Sequence, residues 1–203
     1  MVQLLNIGSN RQPSARVRQR NEARRLEILR AAARVFRRRG IAAAGMREIA
    51  EEAGLSPGNL YHYFSGKDEI LLFCQERTVD RMLESAREAR GSAAERLRAV
   101  LRAHVLGMLD ETEGAIAHLD VEALPARMRA RMIEKRDAYE RALRAMVAEG
   151  VKRREFAHCD AALVTRAMLG AVNWTARWYR PDGPQGPEEI ADGLADYLVK
   201  GLA

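Results

Sequence analysis

Four consecutive residues, Gly54-Leu55-Ser56-Pro57, constrain the fold of this 203-residue chain more than any other stretch. Glycine tolerates the left-handed backbone that a sharp reversal needs, and Leu55 can turn back into a core. Ser56 is a favoured N-cap, and Pro57 brings the fixed φ preferred at a first helical position. One helix must therefore stop and another start within four residues. The stripe Met46, Ile49, Ala50 and Ala53 predicts the first helix over about 46–53, and Leu60 and Phe64, four apart, predict the second over about 57–64. The second helix also carries Asn59, Tyr61, His62 and Tyr63.

The rest of the chain is written in Ala, Leu, Arg and Glu, which lose little rotamer freedom in a helix, and aromatics make up only 5% of it. The expected class is all-α. Leu29, Ala32, Ala33 and Phe36 predict a helix from about 22 to Gly40, and Ser65 with Asp68 resembles a capping box opening a helix that runs to about 90. Further helices are expected over about 93–109, 115–123, 126–150, 160–179 and 187–202, which makes about nine. Pro181, Asp182, Gly183, Pro184 and Gly186 break the last two apart. Residues 1–20 lack an apolar period and contain Gly8, Pro13, Arg16, Arg18 and Arg20, so they read as a flexible basic arm.

Charge divides the chain unevenly. Up to Lys67 there are 13 basic and 5 acidic residues, and beyond it 21 and 23, within a net +6. A basic N-terminal third attracts a polyanion, because each cation that neutralises a phosphate releases a condensed counterion. No lipidation signal or amphipathic N-terminal stripe accompanies the charge, so no membrane partner is expected. Cys74 and Cys159 lie far apart in no metal-binding spacing, which leaves reduced, buried thiols as the expectation and no metal or cofactor. No apolar run approaches a membrane span, and residues 1–10 lack a signal peptide's charged start and apolar centre, so a cytoplasmic location is expected.

The segment from Arg47 to Phe64 thus has the parts of a helix-turn-helix: a brace helix, a glycine turn, a capped start, and a second helix with polar residues facing out. In that motif the second helix enters the major groove while the first crosses the backbone. Ile28, Leu29, Ala31, Ala32, Phe36 and Gly40, then Ile49, Ala50, Ala53, Gly54, Ser56, Gly58, Leu60, Tyr61, Tyr63, Phe64, Lys67 and Ile70, resemble the N-terminal signature of TetR/AcrR transcriptional regulators over about residues 24–72. The resemblance implies a three-helix DNA-binding head (21–67), then a connector helix leading into a helical ligand-binding and dimerisation body (68–203). It implies that Tyr61, His62 and Lys67 grip phosphates and that Ser56, Pro57, Gly58 and Asn59 begin the helix that meets base edges. Arg47 can reach either. Asn59 has the amide chemistry to pair with adenine. Tyr63 and Phe64 suit packing at the head–connector junction at least as well as DNA contact. Gly45 departs from the signature, which often has a capping Thr there.

In the body, Asn173-Trp174-Thr175-Ala176-Arg177-Trp178, continuing to Pro184, resembles a subgroup that senses acyl-CoA thioesters. An acyl-CoA sensor needs an apolar tunnel and cations for phosphates. The candidates are Asn173, Trp174, Arg177 and Trp178, with Arg136 and Tyr139 from the long helix. A dimer-packing corner explains the same stretch equally well, and the Met group (Met108, Met128, Met132, Met146, Met168) reads more readily as core than as pocket. The resemblance further implies a homodimer on a pseudo-palindromic double-stranded operator, released by a small-molecule inducer, with an acyl-CoA as the candidate. A different hydrophobic or aromatic ligand is the alternative. A helical acyl-CoA hydrolase finds no GxSxG, HExxH or Walker loop, and His104, His118 and His158 stand without an obvious nucleophile or metal partner. A non-specific nucleoid binder would have no use for a capped recognition helix.

Overall fold

The computed structural model describes residues 15–110 and 124–203, which form eight helices and no strand. They are α1 (Ala15–Arg39), α2 (Met46–Glu52), α3 (Pro57–Tyr61), α4 (Lys67–Glu88), α5 (Ala93–Leu109), α6 (Ala126–Lys152), α7 (Ala161–Trp178) and α8 (Pro187–Lys200). The all-α expectation holds, and the short helix expected over 115–123 lies outside the described residues.

The turn between α2 and α3 closes as the sequence requires. Gly54 sits at φ 65°, its N–H donates to Glu51 O at 3.0 Å, and the N–H of Leu55 donates to Ala50 O at 2.8 Å. These two bonds define a Schellman motif, which satisfies the last carbonyls of α2. Ser56 Oγ then accepts from Asn59 N–H at 3.2 Å, and α3 begins.

Three expectations are corrected. Helix α1 begins at Ala15, not near residue 22. Residues 15–23 are exposed, so no apolar stripe marks them, and the straight side chains of Arg16, Arg18, Gln19 and Arg20 extend the helix regardless. Helix α4 is capped by Gly66, which places Glu69 rather than Asp68 at the third position. The Ser65 N–H and Oγ both donate to the Glu69 carboxylate, at 2.7 and 2.8 Å. Helix α6 runs through Gly150 to Lys152 instead of ending there, and the Phe156 ring packs where a side chain at 150 would stand: an added Cβ would lie 2.1 Å from it. That glycine serves close approach.

One continuous core links head and body. In the head, Ile28, Leu29, Ala32, Ile49, Ala50 and Leu60 are fully buried, and Ile70 of α4 joins them. Helix α4 continues into the body, where it packs against α5 and α6, while α8 lies along α5. Arg98 pairs with Asp196 and Arg102 with Asp192 across that second contact.

Candidate DNA interface and ligand cavity

The outer surface of the head carries Arg47, Ser56, Pro57, Gly58, Asn59, Tyr61 and His62, all exposed, with Tyr61 at 54%. Helix α3 is shorter than expected. It ends at Tyr61, after which His62, Tyr63 and Phe64 continue in a hydrogen-bonded turn that carries Phe64 inward. Phe64 is buried and meets Phe73 of α4 edge-on at 5.5 Å, and Tyr63 is half-buried against the same core. The seven candidates named above are thus all open to solvent, whereas the two aromatics at the junction pack.

Lys67 is half-buried. Its ammonium donates to the carbonyls of Ile41 (2.5 Å), Ala42 (3.3 Å) and Ala44 (3.3 Å), closing the turn between α1 and α2. Gly45, the N-cap of α2, makes no side-chain cap bond. Beside the buried Ile49 and Ala50, ion pairs tie α2 to α1: Arg34 and Arg38 both donate to Glu52, at 2.6 and 2.7 Å, and Arg39 pairs with Glu48 at 3.3 Å. The Arg34 hydrogen bond, then that of Arg38, lowers the Glu52 carboxyl pKa below its ordinary value.

Sequence reasoning missed Arg25. Its guanidinium lies 4.5 Å from the Phe64 ring centre and 4.4 Å from that of Phe73, and 3.5 Å from Glu69. One cation from α1 thus bridges the end of the recognition turn and the start of α4. A charged groove of about 450 Å³ continues from there between α1, α4 and α6. It is crossed by Glu22–Arg77 (3.9 Å), Arg131–Glu76 (2.8 Å) and Lys135–Asp80 (2.5 Å).

A second cavity, of about 610 Å³, opens in the body among α4, α5, α6 and α7. Five of the six ligand candidates line it: Arg136, Tyr139, Asn173, Trp174 and Arg177. Trp178 does not; it lies farther along α7, 48% exposed. Met108 and Met132 contribute to the wall, whereas Met146 and Met168 are buried elsewhere in the core. Helix α4 supplies Gln75, Thr78, Val79 and Met82.

His104, whose partners could not be read from the sequence, is 3% exposed and lines this cavity. Its Nδ1 lies 3.2 Å from the Tyr139 hydroxyl and its Nε2 3.1 Å from Asn173 Oδ1. As placed, the Tyr139 O–H donates to Nδ1 and the Nε2–H donates to Asn173. Burial pushes the Tyr139 phenol pKa well above its ordinary value, so it remains a donor at any working pH. The signal available in sequence was weak: His104, Tyr139 and Asn173 come from three helices at unrelated spacings.

Helix α7 also turns large apolar side chains outward, on the face that carries Trp174. Thr165 and Thr175 are buried, while Leu163 is 65% exposed and Trp174 63%; on α8, Tyr197 is 76% exposed. Among the described residues, no helix is long and apolar enough to cross a membrane.

Residues 28–73 match the family model of bacterial regulatory proteins, tetR family, and residues 90–202 match the tetracyclin repressor-like C-terminal domain. A fold of an exposed helix-turn-helix face joined by one helix to a cavity-bearing body defines a ligand-responsive DNA-binding protein. The chain belongs to the TetR family of transcriptional regulators. The HTH-type transcriptional repressor KstR2 of Rhodococcus jostii is 31% identical over 187 residues, 89% of this chain and 91% of that protein. Among solved structures, the TetR family regulator PfmR of Thermus thermophilus superposes with a TM-score of 0.79 at 32% identity, covering 87% of this chain and 98% of that one. AibR, solved in complex with isovaleryl coenzyme A and operator DNA, gives a TM-score of 0.73 at 27% identity, covering 87% and 98%.

Proposed function

We propose that the chain is a homodimeric repressor whose two heads occupy successive major grooves of a pseudo-palindromic operator and leave it when an acyl-CoA thioester fills the body cavity. The observation that carries this reading is the double duty of α4. Its first turn holds the head through Lys67, Glu69 and Ile70, and its middle turns wall the cavity through Gln75, Thr78, Val79 and Met82. A ligand that prefers one tilt of α4 shifts the separation of the heads by its differential affinity for the two states.

For the ligand, Val79, Met82, Met108, Met132 and Leu169 offer the apolar wall an acyl chain needs, and Arg136 and Arg177, exposed lining residues of the same cavity, supply cations for CoA phosphates. AibR's complex with isovaleryl coenzyme A supports the class. His104 acts here as a hydrogen-bonding fixture rather than a catalytic base, since Tyr139 and Asn173 engage both its nitrogens. In the head, residues 21–67, Asn59 reads a base, Pro57 and Gly58 bring the backbone close, and Arg47, Ser56, Tyr61 and His62 hold phosphates. Tyr63 and Lys67 set the shape of that face. Such a regulator works on the chromosome, in the cytoplasm.

Fluorescence anisotropy with duplex from upstream of its own gene tests the reading, with random duplex as control and a panel of acyl-CoA thioesters as inducers. Expected are a specificity ratio of at least about 10³ over random DNA and loss of binding on adding an acyl-CoA. Equal affinity for random duplex, or operator binding that no acyl-CoA changes, would sink it.

A further inference from the structure

Resting on the acyl-thioester reading above, we infer that the Tyr139–His104–Asn173 relay makes this cavity selective for acyl groups that carry an oxygen substituent, such as a hydroxyl or ketone, over saturated chains of the same length. The argument begins with hydrogen-bond capacity. A singly protonated imidazole has one donor and one acceptor, so a relay through His104 can run in only two directions. In one, Tyr139 donates to Nδ1 and Nε2 donates to Asn173 Oδ1. The amide N–H groups of Asn173 and a lone pair on the phenol oxygen then face outward. In the other, with the Asn173 amide turned over, the phenol O–H and the amide oxygen face outward. Either way the relay presents one donor and one acceptor to the cavity, whose wall includes all three residues.

Thr78 adds to this polar stretch. It is 3% exposed, and its hydroxyl donates to Cys74 O at 3.1 Å, which leaves its oxygen able to accept. A saturated chain laid against such a wall would strip solvent from these groups and give nothing back, whereas a chain bearing a hydroxyl or carbonyl replaces what it displaces. The reversible relay lets the same wall meet a hydroxyl, which donates and accepts, or a ketone, which only accepts. The apolar residues Val79, Met82 and Leu169 line the same cavity and hold the remainder of the chain.

Isothermal titration of the full-length protein with hexanoyl-CoA and 3-hydroxyhexanoyl-CoA tests the inference. The hydroxylated ester should bind at least about tenfold more tightly. Tyr139→Phe, which keeps the ring, and Asn173→Ala, at an exposed position, should each bring that ratio to within about twofold of one. A ratio near one in the unmodified protein, or one that survives both substitutions, overturns the inference. If neither CoA ester binds, the acyl-CoA reading falls. The same two acyl groups as N-acetylcysteamine thioesters, which lack the CoA phosphates, then decide the relay separately. A preference for the hydroxylated one upholds it, and equal binding or none overturns it.

Discussion

Arg154 adopts φ 60° just beyond α6, where its N–H reaches Val151 O at 3.1 Å and the N–H of Glu155 reaches Gly150 O at 2.9 Å. This is the same Schellman closure that Gly54 makes after α2, but built on a residue whose Cβ crowds the left-handed backbone. Arg154→Gly should therefore stabilise the protein by about 0.5–1 kcal/mol, reduced somewhat by the entropy glycine gains in the unfolded chain. Urea unfolding would show it as a rise in midpoint with unchanged slope, and a fall in midpoint would refute it. Asn59 presents the converse case, a side chain that the head does not need. It is exposed, and only its backbone N–H serves the Ser56 cap. Asn59→Ala should leave unfolding within about 0.5 kcal/mol and weaken operator binding by about 1–3 kcal/mol while affinity for random duplex stays put. A uniform loss on both DNAs would mean that Asn59 holds phosphate instead of reading a base.

At the scale of elements, the sequence was most legible where chemistry is local. Gly54, Ser56 and Pro57 act within four residues of each other, so the turn and the start of α3 could be read directly. It was least legible where a residue answers to a distant partner. Gly150 reads as a helix stop because Phe156's ring is invisible until the chain folds, and the three α1–α2 turn carbonyls that the Lys67 ammonium meets lie 23 to 26 residues away in sequence. Arg25 carries no local signal, and His104 only a weak one, because their partners come from other helices. Arg25 now carries a prediction about coupling. Because it joins Phe64, Phe73 and Glu69, Arg25→Met should loosen the head on α4 and shrink the inducer-driven fall in operator affinity by about fivefold, within the range of coupling mutations. An unchanged inducer response would show that coupling bypasses this bridge. Helix α2 depends on charge in a way that pH can read. The Glu52 pKa is lowered in the folded head, chiefly by the Arg34 hydrogen bond. Its contribution is therefore complete above the unfolded carboxyl pKa of about 4.3 and is lost as pH falls through the folded value. Amide exchange of α2, corrected for intrinsic rates, should speed up on acidification below about pH 4.3 relative to α7, which contains no carboxylate, and Glu52→Gln should abolish that difference.

The whole molecule explains the exposed apolar face of α7. A chain that leaves Leu163, Trp174 and Trp178 exposed on α7, and Tyr197 on α8, while burying Thr165 and Thr175, presents apolar surface suited to another partner. Two copies related by a two-fold axis can lay these helices against one another, since an isologous interface needs only one self-complementary patch. The same axis would set the two α3 helices one helical turn of DNA apart, as a palindromic half-site pair requires. Trp174 also lines the ligand cavity, so it would confuse a test of assembly with a test of binding. Leu163 and Tyr197 do not line it, and Leu163→Glu with Tyr197→Glu puts two carboxylates, and their partners' two, into the contact. Light scattering should then report the 22.8 kDa chain mass instead of twice that value. Operator affinity should fall by at least about 100-fold, because a second head no longer benefits from the effective concentration that the first provides. The cavity of each chain remains walled by its own α4, α5, α6 and α7, so thermal stabilisation by ligand should persist in the monomer. A double variant that stays dimeric, or a monomer that holds the full operator as tightly as the parent, would remove this face from the mechanism.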